Sequence, residues 1–343
     1  MGKIKKKFQN LRLGQKILLS NLVLFVVPCM VLMLLLFHLV QTGANERLNS
    51  SKLVILNQID RSMEDMFQDI VSYTNYFYCN RELNRLISLG DFENAYEELV
   101  VQKNIRSYFR ESRVIYSNMD YNLRLLCDGG RNYSTEDDGS EYIDYPALKE
   151  LQREPWYQKL GENSSSIKYI PAYVSRELRK TEDDSAMRAV RLIKNLNSGR
   201  VLGIMEVNIT QKQVEGIFRG GVEKESQQVF LMDSTGKILC STEGSLVQQS
   251  VEDREYLKKL TGFDHGYFSA KMSGRPAQVS FVTNGTTGWK LVMYEEEKGA
   301  VWTANRIFVM ILLVAAVYVL LAVIMSVYNS RYISRPVQKL KAV

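Results

Sequence analysis

Two apolar runs near opposite ends of the chain constrain its architecture more than any other feature. Residues 17–40 and residues 307–327 contain no Asp, Glu, Lys or Arg. Each run is long enough to cross a bilayer as a helix, which takes about 20 residues. The residues between the two runs have an ordinary globular composition. The sequence therefore predicts one large domain that is tethered to a membrane at both ends.

The distribution of charge predicts which side of the membrane this domain faces. Residues 1–16 and 329–343 are basic and contain no acid, whereas all 38 acidic residues lie within 41–300. Basic segments beside membrane helices stay in the cytoplasm. We therefore predict a two-pass plasma-membrane protein with residues 41–300 outside. The net charge of +6 follows from this topology, so we predict no nucleic-acid partner.

The first apolar run has a rival interpretation as a cleaved signal peptide, because it follows a basic start. It is longer than the apolar stretch of about 7–15 residues in a typical signal peptide. Gln41-Thr42-Gly43 also makes a poor cleavage site. An uncleaved anchor is therefore the favoured interpretation.

Cysteine and histidine offer little material for a reactive site. Cys79, Cys127 and Cys240 lie far apart in the large domain, which argues against a disulfide framework, although one bonded pair stays open. The chain has two histidines and no CxxC or HExxH phrase. We therefore predict no metal, no cofactor and no catalytic residue in these 343 residues. Whether the protein is an enzyme through a further domain stays open.

Hydrophobic periodicity predicts an α+β fold for the large domain. An apolar stripe at spacings of three and four predicts a long helix over 45–89. One stretch of it should pack on its own domain, and the stretch nearer the membrane should meet a second copy in a homodimer. A second helix should follow Asp91 as N-cap, with Phe92, Tyr96, Leu99 and Val100 on its apolar side. Residues 132–139 are polar and predict an exposed loop. A mixed sheet flanked by helices is expected from strands at 122–127, 167–173, 187–196 and 201–209 and a helix at 211–218.

The chain after Gly221 predicts a second α+β module. Asp233-Ser234-Thr235-Gly236, Ser273-Gly274 and Asn284-Gly285 each mark a hairpin turn. The segments between these turns predict a single sheet with one helix. Its strands are expected at 229–232, 237–241, 266–272, 276–282 and 289–294, and its helix at 252–260.

These phrases resemble the double Cache domain of bacterial extracytoplasmic sensors. The resemblance covers about 45–298 and rests on FLMDSTGKIL at 230–239 and on Gly288-Trp289. It implies a long N-terminal helix with two Cache, or PAS-like, modules in the membrane of a bacterium. The implied parts are a distal module at 91–219, a proximal module at 220–298 and transmembrane helices at 17–40 and 301–328.

The two ends of the chain extend this resemblance. The phrase FQNLRLGQKILLSNLVLFVVPCMVL is similar to the YesM type of sensor histidine kinase, and ISRPVQKL at 333–340 looks like the opening of a HAMP linker. The implied protein is a two-component receptor whose kinase output lies beyond Val343 and passes phosphate to a response regulator. The alternatives are a chemoreceptor or a cyclic-dinucleotide enzyme with the same sensor half, and a membrane-anchored surface protein without signalling.

The resemblance also implies ligand-binding residues. In the family, an aromatic pair that matches Trp156-Tyr157 lies at the mouth of the distal pocket. The position of the arginine of amino-acid binders is Glu154 here, and that of their strand aspartate is Asn208. These departures favour a sugar as the ligand, with an amino acid or a carboxylate as alternatives. A core role for the aromatic pair is an equal alternative. The candidate ligand-binding residues are Arg153, Trp156, Tyr157, Tyr173 and Asn208.

Overall fold

The computed structural model describes residues 13–89, 92–128, 131–135, 148–161, 166–178, 184–222, 226–251, 254–272, 275–296, 309–310, 312–325, 327–328 and 332. The chain divides into two compact units, one of residues 52–295 and one drawn from 1–51 and 296–343. Apart from Tyr332, the predicted linker at 329–343 lies outside the described residues.

The described residues of both apolar runs are helical. Helix α1, Leu13–Tyr78, includes the first run and contains Pro28. Residues 309–310, 312–325 and 327–328 are helical as well. Within the part of the chain that is described, no helix combines the length and the apolar character that crossing a bilayer requires. The two-pass arrangement therefore stays a prediction.

The apolar stripe of α1 packs on its own domain. Ile59, Met63 and Ile70 are at most 1% exposed, and Tyr73 and Phe77 extend the same buried face. This confirms one of the two predicted roles of the stripe. The other, a homodimer contact nearer the start of the predicted helix, stays a prediction.

The long helix ends earlier than the periodicity predicted. Asn80 has an extended backbone, and its side-chain oxygen accepts a hydrogen bond from the Leu83 amide at 2.9 Å. Such a cap satisfies an amide at the start of a helix that has no partner within it. A separate helix, α2, therefore begins here and spans Arg81–Ser88. The prediction of one helix through Leu89 was wrong because Asn80 starts a new helix.

Helix α3, Ala95–Ile115, buries a different face from the predicted one. Its N-cap is Asn94, three residues after the predicted cap. Tyr96 and Leu99 are 77% and 65% exposed. The helix has apolar residues on more than one face, and only one face can pack against the core. The buried side chains are those of Val101, Ile105, Phe109 and Ser112.

The first sheet has five strands in the order β2-β1-β5-β4-β3, and all neighbours are antiparallel. The predicted mixed sheet was therefore wrong. The predicted exposed loop at 132–139 was also wrong in its first residues. Tyr133 and Ser134 are buried in β2, which forms a hairpin with β1. The strands are β1 Asn122–Cys127, β2 Asn132–Ser134, β3 Lys168–Pro171, β4 Ser185–Lys194 and β5 Val201–Thr210.

The two faces of this sheet belong to different apolar clusters, because successive strand residues point to opposite sides. The inner face packs in the same cluster as α1 and α3. The outer face packs with two short helices, α4 (Leu148–Leu151) and α5 (Pro155–Gln158). Gly203 lies where β5 approaches β1 closely, and a Cβ there would come within 2.4 Å of the Leu126 carbonyl oxygen. A larger residue would force these strands apart.

The second sheet follows α6, Gln211–Gly221, which begins with a capping box between Thr210 and Gln213. The strand order of the second sheet is β7-β6-β10-β9-β8. The five predicted strands and one predicted helix are thus confirmed, whereas the module boundaries stay predictions. The elements are β6 Gln227–Met232, β7 Ile238–Ser241, α7 Arg254–Thr261, β8 His265–Met272, β9 Arg275–Thr283 and β10 Lys290–Glu296.

The three cysteines of the larger unit are free. Cys79 is exposed, whereas Cys127 and Cys240 are buried. Burial raises the pKa of each buried thiol to about 12. These two side chains therefore stay protonated and unreactive at neutral pH.

A pair of carboxylates on α1 binds the turn between β9 and β10. The side-chain amide of Asn284 donates to Asp60 at 2.9 Å and to Glu64 at 2.7 Å. Thr286 donates its backbone amide and its hydroxyl to Glu64. Burial raises the pKa of Asp60, and the negative charge of Glu64 raises it as well, while the hydrogen bond from Asn284 lowers it.

We predict that Asp60→Asn raises the melting temperature at neutral pH. The folded-state pKa of Asp60 lies above its ordinary value of 3.8, so the folded chain binds this proton more tightly than the unfolded chain does. The contribution of Asp60 to stability is therefore complete below pH 3.8 and is lost as pH rises through the raised pKa. The asparagine variant removes that loss. Melting curves over a pH series should show its advantage shrinking toward acid.

Glu64→Gln is the matched comparison, and its effect should have the opposite sign. Glu64 accepts hydrogen bonds from both Asn284 and Thr286. An amide nitrogen in place of one oxygen cannot accept, so we expect a loss of about 1–3 kcal/mol. A stabilising Glu64→Gln, or an Asp60→Asn whose effect does not change with pH, would contradict this account.

Candidate functional site

Three charged side chains meet inside the protein on the outer face of the first sheet. Glu206 Oε1 lies 2.5 Å from Arg124 Nη2 and 3.0 Å from Arg188 Nε. The side chains of Glu206 and Arg188 are fully buried, and that of Arg124 is 4% exposed. We call these three residues the charged cluster. Buried ions at this depth carry a desolvation penalty that is offset only by close pairing.

Strand register brings the cluster together. Arg124 of β1 lies directly opposite Glu206 of β5. Arg188 of β4 lies opposite Asn208, two residues further along β5. Residues two apart on a strand share a face, and directly opposed residues are neighbours on it. The four side chains therefore occupy adjacent positions of one face.

Polar side chains continue from the cluster along β4 and β5. Asn208 accepts a hydrogen bond from the Ser185 hydroxyl through its side-chain oxygen, and Ser185 in turn lies 3.5 Å from Arg188 Nη2. The second carboxylate oxygen of Glu206, Oε2, is buried and has no hydrogen-bond partner among the described residues. A buried carboxylate oxygen without a partner is unfavourable. A hydrogen bond donated to this atom would therefore be favourable.

An apolar cluster adjoins the charged cluster on the same face. Trp156 of α5 is 5% exposed and shares a cluster with side chains of β1, β3, β4 and β5. Tyr157 is half-buried, and its ring centroid lies 6.1 Å from that of Trp156 in an edge-on arrangement. Burial raises the pKa of Tyr157. The strand residues of the same cluster are Leu126, Ile170, Val190, Leu192 and Ile204.

The structure separates the five predicted ligand-binding residues into four places. Trp156 and Tyr157 lie together in the apolar cluster, and Asn208 lies beside the charged cluster. Arg153 is exposed on the segment between α4 and α5. Tyr173 turns toward the second sheet, where its hydroxyl donates to Asp233. The outer face thus collects three of the five.

Sequence reasoning missed the charged cluster itself. Arg124, Arg188 and Glu206 each lie in a segment that the sequence predicts as a strand, among otherwise apolar neighbours. A charged residue in such a strand signals a paired or functional position. The alternation of side chains along β5 predicts that Glu206 and Asn208 share a face. The sequence does not show that β1 and β4 are the neighbours of β5, so it could not predict the cluster.

An open groove of about 740 Å³ lies elsewhere, along the exposed side of α3 and the end of β2. Its basic side chains, among them Lys103, Arg110 and Arg113, are exposed. Long exposed side chains in water attract an anion only weakly. We therefore place the candidate site at the buried cluster rather than in this groove. Among the described residues, no group of three His, Cys, Asp or Glu side chains could hold a metal ion.

Solved structures with a similar fold include ligand-binding domains of bacterial chemoreceptors. The ligand-binding domain of Campylobacter jejuni chemoreceptor Tlp3, in complex with L-valine, has a TM-score of 0.53 at 16% identity and covers 75% of this chain and 96% of its own. The ligand-binding domain of Pseudomonas fluorescens chemoreceptor CtaA, in complex with L-isoleucine, has a TM-score of 0.50 at 15% identity. The match covers 78% of this chain and 98% of the CtaA domain. At these identities the likeness establishes the fold alone.

Two Bacillus proteins match nearly the whole chain. Methyl-accepting chemotaxis protein McpA of Bacillus subtilis is 19% identical over 99% of this chain and 47% of its own length. A probable methyl-accepting chemotaxis protein of Bacillus thuringiensis is 20% identical over 97% and 46%. The chain thus spans about half the length of these relatives. They do not support the implied YesM type of histidine kinase.

The Cache domain family matches residues 38–301, which is most of the chain and includes both sheets. The double Cache resemblance read from the hairpin phrases is thereby confirmed at the level of the domain. This chain belongs to the Cache domain family.

Proposed function

We propose that this chain is the sensory half of a membrane receptor and that the outer face of its first sheet binds a small amino acid. The observation that carries the proposal is the buried Glu206, held between two guanidinium groups with its Oε2 atom left without a hydrogen-bond partner among the described residues. Small-molecule sites combine a mostly apolar lining with a few precisely placed polar or charged groups, and this face offers both.

The two clusters suit the parts of an amino acid. The Oε2 atom of Glu206 would accept from the ligand's ammonium group, and the guanidinium of Arg124 would face its carboxylate, since both pairings are charge-assisted hydrogen bonds. The apolar cluster around Trp156 would take a side chain such as that of valine. This choice revises the sugar favoured by the sequence, because a sugar offers no charge to match these ions. The Tlp3 and CtaA domains named above were solved with amino acids bound.

The signalling output is proposed from the relatives. Both Bacillus relatives are named as methyl-accepting chemotaxis proteins, so we favour a chemoreceptor output over the kinase and the response regulator implied by the sequence. The two apolar runs and the basic tails support anchoring in the bacterial plasma membrane with the Cache domain outside. A homodimer in which ligand binding favours one of two arrangements completes the proposal.

Ligand-induced thermal stabilisation tests the binding proposal. A ligand that binds only the folded state stabilises it by about 2.7 kcal/mol at a hundredfold excess over its Kd. We expect L-valine, L-isoleucine or L-alanine to raise the melting temperature of the full chain, and glucose and succinate to leave it unchanged.

Two variants locate the binding site. Glu206→Gln keeps the side-chain shape but replaces one carboxylate oxygen with an amide, so the stabilisation by amino acids should disappear. Asp128→Asn alters an exposed pair with Arg200 and should leave the stabilisation intact. Stabilisation by sugars alone, or full stabilisation of Glu206→Gln by amino acids, would contradict the proposal.

A further inference from the structure

A turn that follows β3 lies between the charged cluster and the second sheet. Residues 172–175, here called the relay turn, contain Tyr173 and end at the fully buried Ser175. The Ala172 amide donates to the Ala186 carbonyl of β4, and the Val174 amide donates to the Pro171 carbonyl. The relay turn is therefore anchored on the first sheet while its tyrosine extends away from it.

The guanidinium of Arg188 joins the relay turn to Glu206. Its Nε lies 3.0 Å from Glu206 Oε1. Its Nη1 donates to the Ala172 carbonyl at 3.0 Å, to the Ser175 carbonyl at 3.2 Å and to the Ser175 hydroxyl at 2.9 Å. Because the guanidinium is a rigid plane, a displacement of its Nε side by a change at Glu206 also displaces the Nη1 side. The relay turn must follow or lose these hydrogen bonds.

The other side of the relay turn contacts the hairpin between β6 and β7. The Tyr173 hydroxyl donates to Oδ2 of Asp233, which is 3% exposed. The other oxygen of Asp233, Oδ1, accepts from the Thr235 amide at 2.8 Å and from the Lys237 amide at 3.1 Å, which holds the hairpin turn closed. Lys237 Nζ lies 4.0 Å from the centroid of the Tyr173 ring. Tyr173 therefore bonds to the residue that organises this turn.

We propose that Tyr173 couples the charged cluster to the second sheet, so that a change at Glu206 reaches the Asp233 turn through Arg188 and the relay turn. The input, a ligand at Glu206, rests on the proposed function; the coupling itself does not need a ligand. This role differs from the ligand contact that the sequence predicted for Tyr173. A chain of contacts alone does not establish energetic coupling, which must be measured between its two ends.

A second connection between the two sheets offers an alternative route for the same coupling. Strand β5, which carries Glu206, continues directly into α6, and Gln211 at the start of α6 donates to the Leu239 carbonyl of β7 at 2.6 Å. A change at Glu206 could reach the second sheet along this backbone without Tyr173. The test must therefore remove the tyrosine contact and leave α6 intact.

Hydrogen exchange of the 233–241 peptide in the full chain without ligand provides the test. The perturbation is Glu206→Gln, with Ser175→Ala as a milder one that removes a hydroxyl acceptor of Arg188 and serves if Glu206→Gln does not fold. Each is made in the wild-type background and in Tyr173→Phe, which keeps the ring. Tyr169→Phe is the matched control background, because its hydroxyl donates to the Phe67 carbonyl of α1 at 3.2 Å and not to the second sheet.

We expect each perturbation to speed exchange of the 233–241 peptide about fivefold in the wild-type and Tyr169→Phe backgrounds. In the Tyr173→Phe background the same perturbation should change the rate less than twofold. An equal effect in all three backgrounds would overturn the proposal in favour of the α6 route, and no effect in the wild-type background would overturn it outright. Because no ligand is used, these outcomes are independent of whether amino acids bind.

Discussion

Glu206→Ala should destabilise the large domain by about 3–5 kcal/mol, because it leaves two buried guanidinium groups without the carboxylate between them. The side chain of Glu206 is fully buried and pairs with Arg124 and Arg188 at 2.5 Å and 3.0 Å. Water cannot compensate these charges at that depth. Urea denaturation of the variant and of the wild-type chain measures the difference.

Asp128→Ala is the control for this prediction. Asp128 pairs with Arg200 at 2.8 Å, a similar distance, but their side chains are 38% and 71% exposed. An exposed pair of this kind contributes about 0–1 kcal/mol. Equal losses in the two variants would show that burial does not govern the energetics of the cluster.

Trp156→Ala should cost about 3–5 kcal/mol of stability, the usual effect of removing a large buried aromatic side chain. Trp156 is 5% exposed and belongs to the apolar cluster on the outer face of the first sheet. Tyr157→Ala, at a half-buried neighbour, should cost clearly less. Chemical denaturation of both variants, compared with the wild type, provides the measurement.

The same Trp156 variant distinguishes the two roles that the sequence left open. If Trp156 is mainly a core residue, the loss is large in the absence of any ligand. A variant that keeps nearly all of its stability but is no longer stabilised by amino acids would show instead that Trp156 mainly lines the pocket.

Local signals in the sequence were sufficient for the second sheet. Its hairpins depend on turn residues that act over four or five positions, such as Asp233, whose side chain binds the amides of Thr235 and Lys237. Gly236 between them has a φ of 90°, which glycine adopts without strain. The strands of this sheet, the turns between them and membership of the Cache family could therefore be predicted from the sequence alone.

Helix ends and helix faces were less predictable, because several residues compete for the same role. Asn80 ended the long helix by capping the next one, and a polar residue inside a helical pattern does not reveal whether it caps. In α3 the apolar residues lie on more than one face, and contact with the core selected Ile105 and Phe109 over Tyr96 and Leu99.

The sequence by itself determined the α+β class, the two sheets and the aromatic pair of α5, since each depends on residues close together in the chain. Only the tertiary structure decided that Arg124, Arg188 and Glu206 meet, and that Tyr173 points to Asp233 rather than to Trp156. These contacts join residues from separate strands and turns. They depend on strand order and register, in which a shift of one residue moves every side chain to the other face, and no local signal encodes which strands become neighbours.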